Sequence, residues 1–303
     1  LQNDSINAAI KRLSVDEQSG FELRKLSLKV IANNKGMKIE NFAIEMPGTE
    51  MKMDTIRMEY DSLKALNHFA DNVRFSFRTL PSHVTLNDIS AFVPALSNFK
   101  EKLDLNIDVE GTLNQLNCRT LEINAGDKFR LKGDVSLQDL SRPQDAYVYG
   151  HLANLSANKE GIGFLVRNLS PHYNGVPPVL QHLGNTSFHG EISGYFTDLV
   201  MLSSDKAKAL FSYSGGVKTT DFELGQLLGN KQLGKITFNL DVRGNHYKSQ
   251  YPSITLKGLI ASLEYSNYKY ENITLDGEFK RGGFDGKVAL NDENGSVHLN
   301  GNI

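Results

Sequence analysis

The sequence lacks several features on which common function classes depend. It contains one Cys and no Trp in 303 residues. A single Cys excludes an internal disulfide framework and a cysteine-rich zinc module. The 33 Lys and Arg residues nearly balance 35 Asp and Glu, and the formal net charge is −2. This balance argues against a nucleic-acid partner, because phosphate recognition needs an excess of basic residues.

Long apolar runs are also missing. Phe164-Leu165-Val166 is typical of the longest ones, whereas a membrane helix needs about 20 apolar residues. The first residues show no charged segment followed by an apolar run, so no signal peptide is visible. The last residues, 297–303, alternate apolar and polar up to the final position. We therefore expect the chain to be a piece of a longer protein, with any anchor or signal outside it.

The sequence has no recognisable catalytic or metal-binding motif. Its eight His residues are scattered, without a His-Glu-x-x-His motif or a pair at ligand spacing. Gly161-Ile162-Gly163 lacks the third glycine of a dinucleotide fingerprint, and no Gly-x-Ser-x-Gly elbow occurs. Cys118 lies in a strand-like region, which favours a structural thiol. We predict a protein that is not an enzyme and has no catalytic residue, metal or cofactor.

Period-two alternation is the main pattern that the sequence does contain. Residues 103–110 and 236–243 alternate apolar and polar side chains, and shorter stretches elsewhere repeat the scheme. Successive strand residues point to opposite faces, so the pattern predicts antiparallel sheet with one apolar and one polar face. Turn sequences rich in Asn, Asp and Gly separate the runs, as in hairpins. The predicted fold is mostly β, a long antiparallel meander.

Short helices are predicted at four places, as pieces that cap or plug the sheet. They cover residues 5–13, 88–102, 159–169 and 221–228, and Asp221 is the expected cap of the last one. A boundary is expected near residue 100, where helix-prone sequence gives way to the first fully alternating strand. It divides the chain into residues 1–100 and 101–303.

Glycine recurs on the apolar face of the predicted strands. Seven times a Gly is flanked, two residues away on each side, by an aliphatic or aromatic residue. The seven are Gly111, Gly133, Gly190, Gly258, Gly277, Gly286 and Gly301. Aligned glycines would leave a furrow and let the sheet curl around it. Two interpretations stay open: a packed helix or facing sheet wall fills the furrow, or it forms a groove for a long, thin, apolar ligand.

Several segments resemble the AsmA-like group of proteins, which includes the TamB family of Gram-negative bacteria. Residues 220–238 and 268–295 are similar to TamB segments, and residues 21–49 are similar to the opening sheet of AsmA-like chains. The shared features are the order and spacing of strands and turns over most of the chain. The resemblance makes residues 1–100 the AsmA-like N-terminal β segment with helices. Residues 101–303 continue the elongated groove and are truncated at the C-terminal end.

The resemblance implies a fold and a function. The fold is a long, curled sheet that forms an open, taco-like groove lined with apolar residues. Such proteins are anchored in the inner membrane, extend into the periplasm and resemble bridge-like lipid transfer proteins that carry phospholipid toward the outer membrane. The implied partners are phospholipid, an outer-membrane barrel of the TamA type and the inner membrane. The barrel contact and the membrane anchor would lie outside this piece.

Ten residues are predicted to line the lipid groove, in strands on both sides of residue 200. They are Leu105, Ile107, Leu131, Val135, Ile236, Phe238, Leu240, Ile254, Leu275 and Phe284. The main alternative is a non-catalytic structural β-solenoid, such as an adhesin or passenger stalk, with a closed core. A carbohydrate-binding β protein is a third option, disfavoured because the chain has no Trp platform.

Overall fold

The computed structural model describes residues 5–18, 20–91, 97, 100–142, 145–161, 163, 184–195, 210–247, 253–281 and 283–302. Most of these residues lie in strands, and the helices are short. The strand pairs described below are antiparallel. The prediction of a mostly β, antiparallel fold with few short helices is confirmed. The strands are β1 (Ile6–Asp16), β2 (Glu22–Ala32), β3 (Gly36–Glu45), β4 (Glu50–Glu59), β5 (Arg74–Arg78), β6 (Ser82–Val84), β7 (Leu103–Thr112), β8 (Gln115–Ala125), β9 (Phe129–Gln138), β10 (Tyr147–Ala157), β11 (Asn185–Tyr195), β12 (Leu210–Phe222), β13 (Leu233–Tyr247), β14 (Ser253–Tyr265), β15 (Tyr268–Lys280), β16 (Gly283–Asp292) and β17 (Gly295–Asn302).

The chain divides into two compact units. Unit 1 comprises Leu1–Gly126 and Leu131–Val148, and unit 2 comprises Asp127–Arg130 and Tyr149–Ile303. The boundary near residue 100 stays a prediction.

In unit 1, β1 to β4 pair in chain order, so β2 lies between β1 and β3. The short strands β5 and β6 each pair with both β4 and β7, and β7 pairs with β8. Register places apolar residues opposite one another across these ladders: Ile39 faces Ile56, and Met58 faces Phe75. Because directly paired residues point to the same side of a sheet, unit 1 has one apolar side.

In unit 2, β11 to β17 form a meander of seven strands in which each strand pairs with the next in the chain. Hairpin turns make this order possible. At the β14–β15 turn, Ser266 and Asn267 take positive φ values of 49° and 65°, the conformation that two-residue hairpin loops require.

The helix predicted for residues 5–13 is wrong, because residues 6–13 belong to β1. The pairing of β1 with β2 shifts register between Ile10 and Leu13, and again between Leu13 and Val15. A bulge inserts an extra residue into a strand. Here it gives the apolar positions Ile10 and Leu13 the three-residue spacing of a helix.

The other helix predictions have mixed outcomes. A 3-10 helix occupies Leu86–Ile89, at the start of the 88–102 prediction, and residues 92–96 and 98–99 lie outside the described residues. Residues 159–161 and 163 are helical, and the rest of the 159–169 prediction lies outside the described residues. Helix α2 covers Leu224–Leu228, as predicted for 221–228. Asp221 does not cap it, because Asp221 lies within β12, which extends to Phe222, and the residue at the N-cap position is Glu223.

The other helical turns of the described residues lie in unit 1. They are a 3-10 helix at Leu63–His68 and helix α1 at Phe69–Asn72. In the part of the chain that the structure describes, no helix combines the length and the apolar character needed to cross a bilayer.

Candidate functional site: the apolar face of unit 2

The candidate site is one side of the β11–β17 meander, here called the apolar face. Cross-strand pairing builds it from parallel rows of residues, each row crossing all seven strands. One row, the aliphatic row, consists of Phe188, Val217, Leu240, Gly258, Leu275, Val288 and Leu299. Six of these seven positions carry apolar side chains, so the strand alternation seen in the sequence becomes a continuous apolar stripe.

The six groove-lining residues predicted in unit 2 all lie on this face. Leu240 and Leu275 are members of the aliphatic row. Phe238 pairs with Thr219 on one side and Ile260 on the other, and Ile236 is two residues before it on the same strand. Ile254 and Phe284 each pair with Phe279. Register thus brings these side chains to one side of the sheet.

The six predicted lining residues of unit 2 differ in how far they are exposed to solvent. Ile236, Leu240 and Phe284 are buried, whereas Phe238, Ile254 and Leu275 are half-buried. Thr219, opposite Phe238, is 1% exposed. It shares a hydrogen bond of 3.2 Å with the hydroxyl of Thr186 on β11. This buried polar group is therefore satisfied on the sheet itself.

The four lining residues predicted in unit 1 lie in β7 and β9. Leu105 pairs with Ile123, and Ile107 pairs with Leu121, so both belong to the apolar side of unit 1. Leu131 and Val135 are four residues apart on β9 and therefore share a side of that strand. Val135 is buried and the other three are half-buried.

Glycines also form a row on the apolar face, next to the aliphatic row. This glycine row consists of Gly190, Gly215, Val242, Leu256, Gly277, Gly286 and Gly301. Four of the seven singled-out glycines fall in it, and Gly258 lies in the aliphatic row. Sequence reasoning missed Gly215, although Tyr213-Gly215-Val217 shows the same flanking pattern.

The remaining two singled-out glycines lie outside the glycine row, in β7 and β9. Gly111 pairs with Phe75 and Leu116 in unit 1, and Gly133 lies in β9. The glycine pattern thus extends to β7 and β9.

Aromatic rings of the same sheet fill part of the space above these glycines. A Cβ atom built on Gly277 would lie 2.5 Å from Cζ of Phe284, and one built on Gly286 would lie 2.9 Å from the same atom. The ring of Phe284 therefore covers both glycines. The Tyr213 ring lies over Gly244 in the same way, with Cζ 2.5 Å from the position of an added Cβ. Burial of Tyr213 raises the pKa of its hydroxyl.

This arrangement is a third way of filling the glycine furrow. The sequence left two interpretations, a packed helix or facing wall on one hand and an open groove on the other. Near Gly277 and Gly286, a side chain from an adjacent position of the same sheet fills the space, as when an aromatic residue packs across a glycine on a neighbouring strand. Above Gly301, by contrast, none of the described residues has an atom within 4 Å of an added Cβ.

The apolar face becomes solvent-exposed toward β17. Phe279 is 43% exposed, Val297 49% and Leu299 50%. All three side chains present apolar surface to solvent, and a group that packed on this face would bury that surface. The half of the site near β17 is therefore accessible to an apolar ligand. Leu240 itself is buried, and its neighbours on the face, Phe238 and Val242, are half-buried.

The opposite side of unit 2 is polar. It carries a row of alternating charge, Asp241, Lys257, Asp276 and Lys287. Lys257 and Asp276 form an ion pair of 3.0 Å between exposed side chains, an interaction worth about 1 kcal/mol or less. Beside this row is a depression of about 750 Å³, lined also by Leu259 and His298. Most of its lining belongs to the polar face, but it also includes Leu275, one of the predicted lining residues, and Val288 and Leu299 of the aliphatic row.

Cys118 is a buried structural position in β8. Its thiol donates a hydrogen bond of 3.0 Å to the carbonyl of Thr120. Burial raises the pKa of the Cys118 thiol from 9.0 to about 11. A thiol with so high a pKa is a poor nucleophile at neutral pH.

Among the residues that the structure describes, no group of three or more His, Cys, Asp or Glu could hold a metal ion.

We expect native Cys118 to react with iodoacetamide at pH 8 roughly 100-fold more slowly than in urea, because a rise of two pKa units lowers the thiolate fraction by that factor. Mass spectrometry of the alkylated chain over time measures both rates. Because the native pKa is the higher one, the stabilisation by this group is complete below pH 9.0 and is lost as pH rises toward about 11. Equal rates in native and unfolded protein would contradict the buried position.

Comparisons with known proteins give no match: no family model matches the chain, and neither a curated protein nor a solved structure does.

Proposed function

We propose that the chain is a periplasmic part of a lipid-transfer bridge. In this function, the apolar face holds acyl chains of phospholipids on their way between the inner and outer membranes and so supports outer-membrane biogenesis. The observation that carries the proposal is the apolar face itself, which crosses seven strands and leaves Val297 and Leu299 half exposed. Inner-membrane anchoring and a barrel partner of the TamA type rest on the resemblance to AsmA-like proteins and TamB.

The energetics of lipid transfer favour such a surface. Moving an acyl chain from a membrane into water costs about 0.8 kcal/mol per CH₂, roughly 12 kcal/mol for sixteen carbons. An apolar stripe along the path offsets this cost. Strands lie about 4.8 Å apart, so the six steps from β11 to β17 make a stripe of about 29 Å. Apolar contact is non-directional, so a bound chain slides without breaking specific hydrogen bonds.

The polar face fits the same function. Its alternating Asp and Lys side chains keep the outer surface hydrated, while the apolar face offers no charged position in the aliphatic or glycine rows. A lipid on the apolar face would therefore meet hydrocarbon and glycine backbone, with its headgroup left in water.

The first test is lipid extraction and mass spectrometry of the purified, detergent-free chain, beside an unrelated periplasmic control. We expect enriched phospholipid in the wild-type chain and at least about a tenfold loss in Phe238→Asp. The substitution places a carboxylate beside Ile260 on the apolar face, where a bound acyl chain would take this charge out of water without a partner, at a cost that opposes lipid binding. Phe238 is half-buried, so the fold should persist, as circular dichroism would show.

The matched control is Asn239→Asp, which adds the same charge at the next residue of β13. Asn239 is exposed on the polar face, so this variant should keep its lipid. In cells, Phe238→Asp should lower phospholipid flux to the outer membrane at equal protein level, and Asn239→Asp should not. Equal lipid content in both variants would contradict the proposal.

A structural β-solenoid with a closed core is the second candidate. The observation that favours it is the filling of the glycine furrow by Phe284, together with the burial of Ile236 and Leu240. It predicts a lipid-free chain that unfolds in one cooperative transition. The same extraction experiment therefore separates the two functions.

A further inference from the structure

Methionine is concentrated in one part of unit 1. Five of the six Met residues of the chain lie between residues 37 and 58. Met46 lies in the turn between β3 and β4, and the other four lie in these two strands. Both are inner strands of the ladder, because β2 pairs with β3, and β5 and β6 pair with β4. The four strand residues, here called the methionine cluster, are Met37, Met51, Met53 and Met58.

The methionine cluster belongs to the apolar side of unit 1. Alternation shifts by one residue at Asn41, which takes a positive φ of 55°. The exposed residues of β4 follow the same shift, since they are Lys52, Asp54, Arg57 and Glu59. The methionines of β4 lie between them and are half-buried. Each member of the cluster is paired with an apolar residue of the neighbouring strand, in the pairs Met37–Met58, Phe42–Met53 and Ile44–Met51.

Methionine in this position is accessible to a small oxidant. A thioether is oxidised when the oxidant reaches its sulfur, and the product, methionine sulfoxide, is polar and chiral. The members of the cluster are half-buried, whereas Met46 is buried and only 9% exposed. The one thiol of the chain does not compete for the oxidant, because burial raises the pKa of Cys118 to about 11 and the thiolate is the reactive form.

We propose that the methionine cluster is a reversible oxidation site, at which hydrogen peroxide converts the four thioethers to sulfoxides and makes the apolar side of unit 1 polar. A lone pair of the sulfur attacks one peroxide oxygen, the O–O bond breaks, and the other oxygen leaves as water with both hydrogens. The sulfur loses two electrons, which the peroxide gains. Each sulfoxide places a polar group opposite an apolar partner.

The consequence for lipid rests on the proposed function. An acyl chain that packs on the apolar side of unit 1 would take the sulfoxide oxygens out of water without a hydrogen-bond donor, which is unfavourable. Oxidation therefore lowers the affinity of this side for lipid, and reduction of the sulfoxides restores it.

Oxidation of the purified, detergent-free chain by hydrogen peroxide, followed over time by peptide mass spectrometry, tests the site itself. We expect the methionine cluster to be oxidised at least about threefold faster than Met46, because access to the sulfur limits the reaction. In urea the five rates should converge. A native chain in which Met46 reacts as fast as the cluster would overturn the proposal, as would a cluster that does not react.

Uptake of a phospholipid with a fluorescent acyl chain from vesicles measures the effect on the apolar side. We expect peroxide treatment to reduce uptake at least about threefold, and methionine sulfoxide reductases of both epimer specificities, with dithiothreitol as the reductant, to restore it. The matched control carries Leu at all four positions, which conserves volume and apolar character. Its uptake should survive peroxide. Circular dichroism checks that the treated and variant chains are folded. The control substitutions are Met37→Leu, Met51→Leu, Met53→Leu and Met58→Leu.

The two measurements separate this inference from the proposed function. An untreated chain that takes up no lipid would contradict the lipid-transfer proposal, and the oxidation rates would still decide whether the cluster is an oxidation site. Uptake that oxidation of the cluster leaves unchanged would overturn the inference. An equal fall in the Leu variant would do the same, because the loss would then arise outside the cluster.

Discussion

Phe284→Ala is expected to lower the free energy of unfolding of unit 2 by about 3–5 kcal/mol, the usual cost of truncating a buried Phe to Ala. Phe284 is buried and its ring covers Gly277 and Gly286, neither of which has a side chain to fill the space left. Urea unfolding followed by far-UV circular dichroism is the suitable measurement, because the chain has no Trp for fluorescence.

Phe279→Ala is the control for this prediction. Phe279 pairs with Phe284, with ring centroids 4.9 Å apart, but it is 43% exposed. Its truncation should cost about 1 kcal/mol, mostly through the lost ring pair. If both variants lost equal stability, the cost would come from the ring pair, and Phe284 would not be filling the space above the glycines.

Gly190→Ala is expected to destabilise unit 2 by about 3 kcal/mol or more. Gly190 has a φ of 143° and pairs with Gly215, whose Cα would lie 2.6 Å from an added Cβ. The substitution therefore combines backbone strain of about 1–3 kcal/mol with overpacking of similar size. The same urea titration measures the loss.

Substitutions at two other glycines of the meander separate the backbone strain from the overpacking. Gly301 has a φ of 150°, but no atom of the described part of the chain lies within 4 Å of an added Cβ, so Gly301→Ala should show the backbone strain alone. Gly295 has neither a positive φ nor a close atom, and Gly295→Ala should change stability by less than about 0.5 kcal/mol. A loss in Gly190→Ala no larger than that in Gly301→Ala would contradict the close approach of β11 and β12.

The sequence was informative wherever alternation was strict. Residues 103–110 and 236–243 lie within β7 and β13 as predicted, because a period of two has one structural meaning in an antiparallel sheet. Their apolar residues share a side in each unit for the same reason. Where a bulge interrupts the alternation, as between Ile10 and Leu13, the pattern imitates a helix and the prediction fails.

The neighbours of each residue across strands could not be predicted, because they depend on register. The sequence shows that Gly277 and Gly286 are flanked by apolar residues, but only pairing places them side by side. It shows Phe284 as one more apolar residue, and only the fold places its ring over both glycines. No sequence pattern therefore indicates that a ring fills the furrow. Gly215, by contrast, has the same flanking apolar residues as the seven glycines and could have been predicted from them.

The meander also has a consequence for how unit 2 folds. Each pairing from β11 to β17 joins strands that follow one another in the chain. A nascent chain can therefore add one hairpin at a time, and few strand contacts must wait for a distant segment. Such local topology lowers the entropy lost in closing loops and favours fast, stepwise assembly. Because each strand pairs only with its neighbours in the chain, a destabilising substitution in one strand first weakens the two strands that pair with it, as in proteins built from repeats.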